Sequence, residues 1–152
     1  MTRILMVCLG NICRSPLAHG ILESKLPPEE FYVDSAGTGN YHIGSPPDQR
    51  SIAIAIRNGI DISTQKCRQF HVSDFDQFDL IYVMDKSNLS NIVRLARNPQ
   101  DIAKIKLILE KNHASLLEVP DPYYGNEKDF ESVFTLLNDA CGNIATTLQN
   151  KK

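Results

Sequence analysis

Long apolar runs are missing from this 152-residue sequence, and nothing in it approaches the ~20 apolar residues that a membrane-spanning helix requires. The stretch from Ile4 to Leu9 is too short for the apolar centre of a secretory leader and runs straight into Gly10 and Asn11. Excess charge is missing as well. A formal net charge of −2 offers no electrostatic ground for binding nucleic acid or an anionic membrane surface. Cysteine is sparse: Cys8, Cys13, Cys67 and Cys141 are the only four. With no leader to carry them into an oxidising compartment, they read as reduced thiols of a cytoplasmic protein. A chain of this length buries enough core to stand without a disulfide framework. Repeats, low-complexity tracts and dividing linkers are absent too, leaving one domain over residues 1–152 with a globular balance of 42% apolar and 22% charged residues.

What is present alternates between two periods. Ile4-Leu5-Met6-Val7 is a continuous apolar run, the mark of a strand buried on both faces. Leu17, Ala18, Ile21 and Leu22 then recur at helical spacing, with Ser15 as expected N-cap and Pro16 at the first helical position. Phe31-Tyr32-Val33 reads as a second strand and is followed by a Gly/Pro-rich loop from Ala36 to Pro47. Ile52, Ala53 and Ile56 mark a helix that Gly59 is placed to stop. Leu80 to Met84 is a third strand, Leu89 to Ala96 a helix, and Ile105 to Leu109 a fourth strand. Phe130, Val133, Phe134, Leu137, Cys141, Ile144 and Leu148 form one stripe of a long final helix. Such alternation predicts an α/β fold with a parallel sheet covered by helices on both faces. Ligands of such folds sit at the carboxyl ends of the strands.

The segment VCLGNICRSP, residues 7–16, leaves the first strand at that edge. A short loop between strand and helix can turn several N–H groups toward one point. Gly10 and Asn11 tolerate the unusual dihedrals this needs, and the positive end of the helix faces the same point. The result is an anion cradle made of amides. Arg14 adds a planar fork matched to two phosphate oxygens. Cys8 lies under the same donors, which favour thiolate over thiol, and Ser15 can donate a hydrogen bond to its sulfur. An isolated C-x5-R pattern occurs by chance. This one follows a strand, opens a helix and carries Gly and Asn inside.

Nucleophilic attack on a phosphoester also needs a proton donor for the departing oxygen. Asp121, held between Pro120 and Pro122 in VPDPYYG (119–125), stands on a stiff turn after the fourth strand region, within reach of the same edge.

With both halves in view, the chain resembles the low molecular weight protein tyrosine phosphatases. VCLGNICRSP and DPYYG carry the likeness, and DSAGTGNYHIGSPPDQR (34–50), KCRQF (66–70) and VMDKSNL (83–89) also look like segments of that family. The resemblance implies a single three-layer domain with a four-stranded parallel sheet in the flavodoxin-like order 2-1-3-4. It implies a phosphotyrosine phosphatase in which Cys8 becomes a phosphocysteine. Arg14 and the amides of Leu9, Gly10, Asn11, Ile12, Cys13 and Ser15 bind the phosphate, and Asp121 serves as acid and then base. Asn11, Ser15 and Ser35 would hold the loop's shape behind it, Tyr41 and Tyr123 would wall the pocket, and Tyr124 would stand beside them as a possible site of phosphorylation. No metal or cofactor is required, the partners are phosphotyrosine-containing proteins, and a monomer is expected. Cys13 would form a reversible disulfide with oxidised Cys8. One position departs from the pattern: Gln65 stands where the family often has a histidine supporting the loop asparagine.

Other signals point to nothing further. Cys67 and Cys141 read as packing residues, and Lys151 and Lys152 as a frayed terminus. His19, His42, His71 and His113 lack zinc-ligand spacing. Asp74, Asp76 and Asp79 lack the glycine of a calcium loop and read as a solvated turn. GTGNYHIG lacks the third glycine of a dinucleotide site. Arsenate reductases share the C-x5-R loop but need a further cysteine pair in mid-chain, where only Cys67 stands. A binding module without turnover would lack the nucleophile or the acid, and both are present.

Overall fold

Thr2–Cys8 forms β1, the strand that carries the whole arrangement. Its side chains alternate: Ile4, Met6 and Cys8 enter one apolar core, Leu5 and Val7 the other, so a strand buried on both faces needs an unbroken apolar run. The computed structural model describes residues 1–111 and 116–151; His113 and Lys152 lie outside them. β1 pairs in parallel with β2 (Phe31–Gly37) on one side and β3 (Leu80–Val83) on the other, and β3 pairs in parallel with β4 (Ile105–Leu107). The order is therefore 2-1-3-4, as expected. Cys8 lies opposite Gly37 at the carboxyl edge.

Helices cover both faces. α1 (Arg14–Lys25), α2 (Gln49–Arg57) and α6 (Glu127–Asn150) close the larger core, which includes Leu17, Ile21, Ile54, Val133 and Leu137. Leu137 is fully buried, and truncating such a side chain to alanine costs about 2–5 kcal/mol. The second core gathers Phe70, Phe75, Phe78, Ile81 and Ile92 beneath the short α3 (Asp74–Gln77) and α4 (Lys86–Val93). α5 (Pro99–Ala103) leads into β4. Gly59, at φ +80°, ends α2 as predicted: its N–H and that of Ile60 donate to the Ile56 and Ala55 carbonyls, a paired closure of the last turn.

Four local expectations are corrected. Ser15 is not the N-cap of α1: the helix starts at Arg14, Cys13 holds the cap position without a side-chain bond, and Pro16 is the third helical residue. The proline is tolerated there because N–H groups of the first turn have no helical acceptor. The 74–79 stretch is no solvated turn. Asp74 is buried and accepts from Arg68 and from the His71 N–H, Asp76 pairs with Arg97, and Asp79 accepts from the Arg3 N–H. β4 is shorter than read and does not lead directly to Asp121. Instead the Val119 N–H donates to the Met84 carbonyl at 2.8 Å, pinning the later segment beside the end of β3. Third-strand residue Met84 falls just beyond β3.

Candidate active site

Between β1 and α1 the chain turns through residues 9–13, and this loop is fastened from behind by five of its carbonyls, counting that of Cys8. The carbonyls of Cys8, Leu9 and Ile12 accept from the N–H groups of Thr38, Gly39 and Asp48 at 2.8–2.9 Å. The Asn11 carbonyl accepts from Cys67 Sγ and the Cys13 carbonyl from Ser51 Oγ. Across a planar trans peptide the next N–H points opposite to each carbonyl. The N–H groups of Leu9, Gly10, Ile12, Cys13 and Arg14 are thereby turned away from those partners. Asn11 takes the left-handed conformation at φ 57°, a region that asparagine enters more readily than most residues. Gly37 permits the loop's close approach to β2: a Cβ there would stand 2.8 Å from the Leu9 carbonyl oxygen and 3.1 Å from the Asn11 nitrogen.

The side chains behind the loop form a chain of bonds to the sulfur. The Arg68 N–H donates to Asn11 Oδ1 at 3.0 Å, and Asn11 Nδ2 donates to Ser15 Oγ at 2.8 Å. Ser15 Oγ lies 3.1 Å from Cys8 Sγ. A thiolate can only accept, so the Ser15 hydroxyl is the donor to that form. Ser15, the second residue of α1, thus gives its hydroxyl to the site. Ser35 Oγ lies 2.9 Å from His19 Nδ1, so its contact is with α1. Gln65 also differs from expectation: its Nε2 donates to the Pro16 carbonyl at 3.2 Å and does not support Asn11, which takes its anchor from Arg68.

Arg14 is 3% exposed. Burial works against its charge, but Cys8, Asp85 and Asp121 together hold the guanidinium protonated, above its ordinary range. Nη1 donates to Asp85 Oδ2 at 2.6 Å and to the Val119 carbonyl at 3.0 Å, and Nη2 lies 3.8 Å from Asp121 Oδ2. The structure therefore brings Cys8, Arg14 and Asp121 to one place. Asp121 is 43% exposed at its side chain, and its Oδ1 accepts from the Tyr123 N–H at 3.1 Å. A cavity of about 380 Å³ opens over these groups. Its floor is Cys8, Gly10, Ile12, Cys13 and Arg14, and its rim is Leu9, Tyr41, His42, Asp121, Tyr123 and Tyr124. Tyr123 and Tyr124 meet edge to face at 4.9 Å. Asn11, Ser15 and Ser35 are not among the cavity's lining residues; Asn11 and Ser15 bond toward Cys8 from behind it, whereas the bond of Ser35 is to His19. Among the described residues, no three His, Cys, Asp or Glu side chains cluster to hold a metal ion.

The other thiols differ in environment from Cys8. Burial, with Asp48, Cys8 and Asp121 nearby, pushes the Cys13 thiol up to about 12. Burial and Cys8 raise Cys67 to about 11. Both sit in a small apolar cluster with Ile12 and Phe130, and Cys67 also bonds the loop, so it does more than fill space. Cys141 is fully buried and raised by burial to about 12, a packing residue as read.

Three contributors escaped the sequence reading. Asp85 orients Arg14 from 71 positions away while capping α4 through a box with Asn88. Its place just after a strand that ends at the same edge was the available signal. Arg68 anchors Asn11, and His42 joins the rim; neither carries a local pattern that marks it.

A cysteine–arginine loop at the carboxyl edge of a parallel sheet, faced by an aspartate from a distant turn, defines a phosphate-handling site of the thiolate type. The comparisons assign it further. The model of the low molecular weight phosphotyrosine protein phosphatase family matches residues 3–152. The low molecular weight phosphotyrosine protein phosphatase of Gallus gallus is 42% identical over 136 residues, covering 86% of this chain and 85% of its own. Among solved structures, a protein tyrosine phosphatase from Entamoeba histolytica with Hepes in its active site superposes with a TM-score of 0.92 at 35% identity, covering 99% of both chains. The tyrosine phosphatase Wzb from Escherichia coli K30, in complex with sulphate, gives 0.86 at 32% identity over 96% of this chain and 97% of that one. The chain belongs to the low molecular weight phosphotyrosine protein phosphatase family.

Proposed function

We propose that the chain hydrolyses phosphotyrosine, in phosphoproteins and in small aryl phosphates, through a phosphocysteine on Cys8. The observation that carries this reading is the convergence of Ser15 Oγ, 3.1 Å from Cys8 Sγ, with Asp121 Oδ2, 3.8 Å from Arg14 Nη2. The Cys8 thiolate attacks phosphorus and the bond to the phenolic oxygen breaks, Asp121 delivering its proton to that oxygen. Arg14 and the loop amides bear the charge on the transferring oxygens. A water then attacks the phosphocysteine as Asp121, now carboxylate, takes its proton. The sulfur leaves into the hydrogen bond from Ser15. Family membership implies phosphoprotein substrates, and the aromatic rim of Tyr41, Tyr123 and Tyr124 suits an aryl ester better than the shorter phosphoserine.

The same reading extends to three finer points. Peroxide would convert Cys8 to a sulfenic acid, and Cys13 would condense with it, releasing water and forming a disulfide. Tyr124, 94% exposed on the rim, is open to a kinase. No described helix is long and apolar enough to cross a membrane; the reading sets the chain in the cytoplasm, where free thiols stay reduced, and has it act as a monomer. The test is hydrolysis of p-nitrophenyl phosphate with EDTA present. Chelator-resistant turnover that Cys8→Ser abolishes is expected; activity surviving in Cys8→Ser would refute the assignment. Equal turnover of phosphoserine and phosphotyrosine peptides would refute the substrate preference.

A further inference from the structure

The segment that clamps the loop from behind is itself held by a charge cluster. Arg68 Nη1 and Nη2 reach the two oxygens of Asp74 at 3.0 and 3.1 Å, a two-pronged grip, and Nε reaches Asp34 Oδ2 at 3.2 Å. Asp74 is 5% exposed. One side chain thus ties the segment that carries Arg68 to α3 through Asp74 and to β2 through Asp34. With its side chain fixed on both sides, Arg68 has little freedom to move its backbone. That backbone donates its N–H to Asn11 Oδ1 and gives its carbonyl to the Gly37 N–H at 2.8 Å. From Asn11 the chain runs through Ser15 to the sulfur.

We propose that Arg68, gripped by Asp34 and Asp74, is a positioning residue that holds the Ser15 hydroxyl on the Cys8 sulfur. This rests on the phosphocysteine reading above. The Ser15 bond matters most when sulfur leaves phosphorus, because negative charge then collects on the sulfur. Loosening Arg68 therefore slows the second step, hydrolysis of the phosphocysteine, more than the first. When the second step limits turnover, kcat and KM fall together and kcat/KM is kept. A merely structural loss does not do this; it lowers the active fraction and leaves KM alone.

The experiment measures p-nitrophenyl phosphate kinetics, the phosphoenzyme trapped by acid quench during turnover, and thermal stability. The variants are Arg68→Met, Arg68→Lys, Asp34→Asn and, as control, Arg97→Met. Arg97 is gripped by Asp76 and Asp101 in the same manner but touches no part of the loop. Arg68→Met is expected to lower kcat and KM together by about tenfold, the size of one hydrogen bond to a charged group, and to raise the trapped phosphoenzyme. Arg68→Lys restores part of this, since one ammonium cannot serve both carboxylates as a fork does. Asp34→Asn shows a smaller shift in the same direction and decides the matter if Arg68→Met does not fold. Arg97→Met lowers stability and leaves kcat, KM and phosphoenzyme unchanged. Wild-type kinetics in Arg68→Met and Asp34→Asn, or a fall in kcat at constant KM without added phosphoenzyme, overturns the proposal. Activity in Cys8→Ser would instead overturn the reading beneath it.

Discussion

The two halves of the site are built differently. Residues 8–15 are mostly buried and bonded from behind by Thr38, Gly39, Asp48, Ser51, Cys67 and Arg68. Residues 119–124 are secured through Val119, whose N–H meets Met84 and whose carbonyl meets Arg14. Beyond that point the side chains up to Tyr124 stand at the surface except for the buried Pro122, and Asp121 is 43% exposed. The difference follows the chemistry. A phosphoryl group has fixed dimensions, so its cradle is preorganised and needs no reorganisation in the transition state. Leaving groups vary, and Asp121, the acid proposed to protonate them, sits on the open side.

Four variants test how far that division holds. Asp121→Ala has the largest expected effect, about 10²–10⁴-fold in kcat, the usual worth of general acid catalysis. The loss concentrates on esters of weakly acidic phenols, and an equal loss for p-nitrophenyl phosphate and an alkyl-substituted phenyl phosphate would break the comparison. Asp85→Asn keeps the helix cap, since asparagine caps as well as aspartate, but removes the charged partner of Arg14. A fall in kcat/KM of about 10- to 100-fold, as for a lost hydrogen bond between charged groups, should appear equally for all leaving groups. Gly37→Ala drives a methyl against loop backbone 2.8 Å away. Overpacking of this kind costs about 1–3 kcal/mol of stability, with weaker inhibition by inorganic phosphate as the sign that the cradle moved.

Asp48→Asn has the smallest effect and depends on pH. Burial raises the Asp48 carboxyl, but its bonds to the Arg50 side chain and N–H outweigh this and hold it below the ordinary carboxylate range. A depressed folded-state value stabilises above the unfolded value and loses that stability as pH falls through the folded one. The difference in Tm between wild type and Asp48→Asn is therefore largest near neutrality. It closes as pH drops below the ordinary ~3.9 of an aspartate. Screening keeps the whole effect below about 1 kcal/mol. A gap that persists at pH 2 would show that Asp48 serves the loop through its shape alone.

What the sequence displayed was mostly what short-range pattern can display. The apolar run of β1, the stripe of α6 and the Cys8–Arg14 loop each lie within a few turns of chain, and the strand order followed from the family likeness. Helices α3 and α5 span only Asp74–Gln77 and Pro99–Ala103, too short for a helical period to register. Serine before proline signals a cap locally, but the partners of Ser15, Cys8 and Asn11, sit across the fold of the loop. Asp85 and the Val119 carbonyl meet Arg14 across 71 and 105 positions. No local rule reaches so far. Gln65 marked a true departure, but its bond to Pro16, with Arg68 holding Asn11, is visible only in three dimensions.

The alternation of side chains along β1 has an arithmetic consequence. Cys8 shares its facing with Ile4 and Met6, so the sulfur's direction is a matter of odd and even. Sliding β1 by a single position against Phe31–Gly37 and Leu80–Val83 would aim the nucleophile into the opposite layer, among phenylalanines, and hand its berth to an aliphatic neighbour. Inserting or deleting one residue inside this strand is thus a far harsher edit than inserting or deleting two.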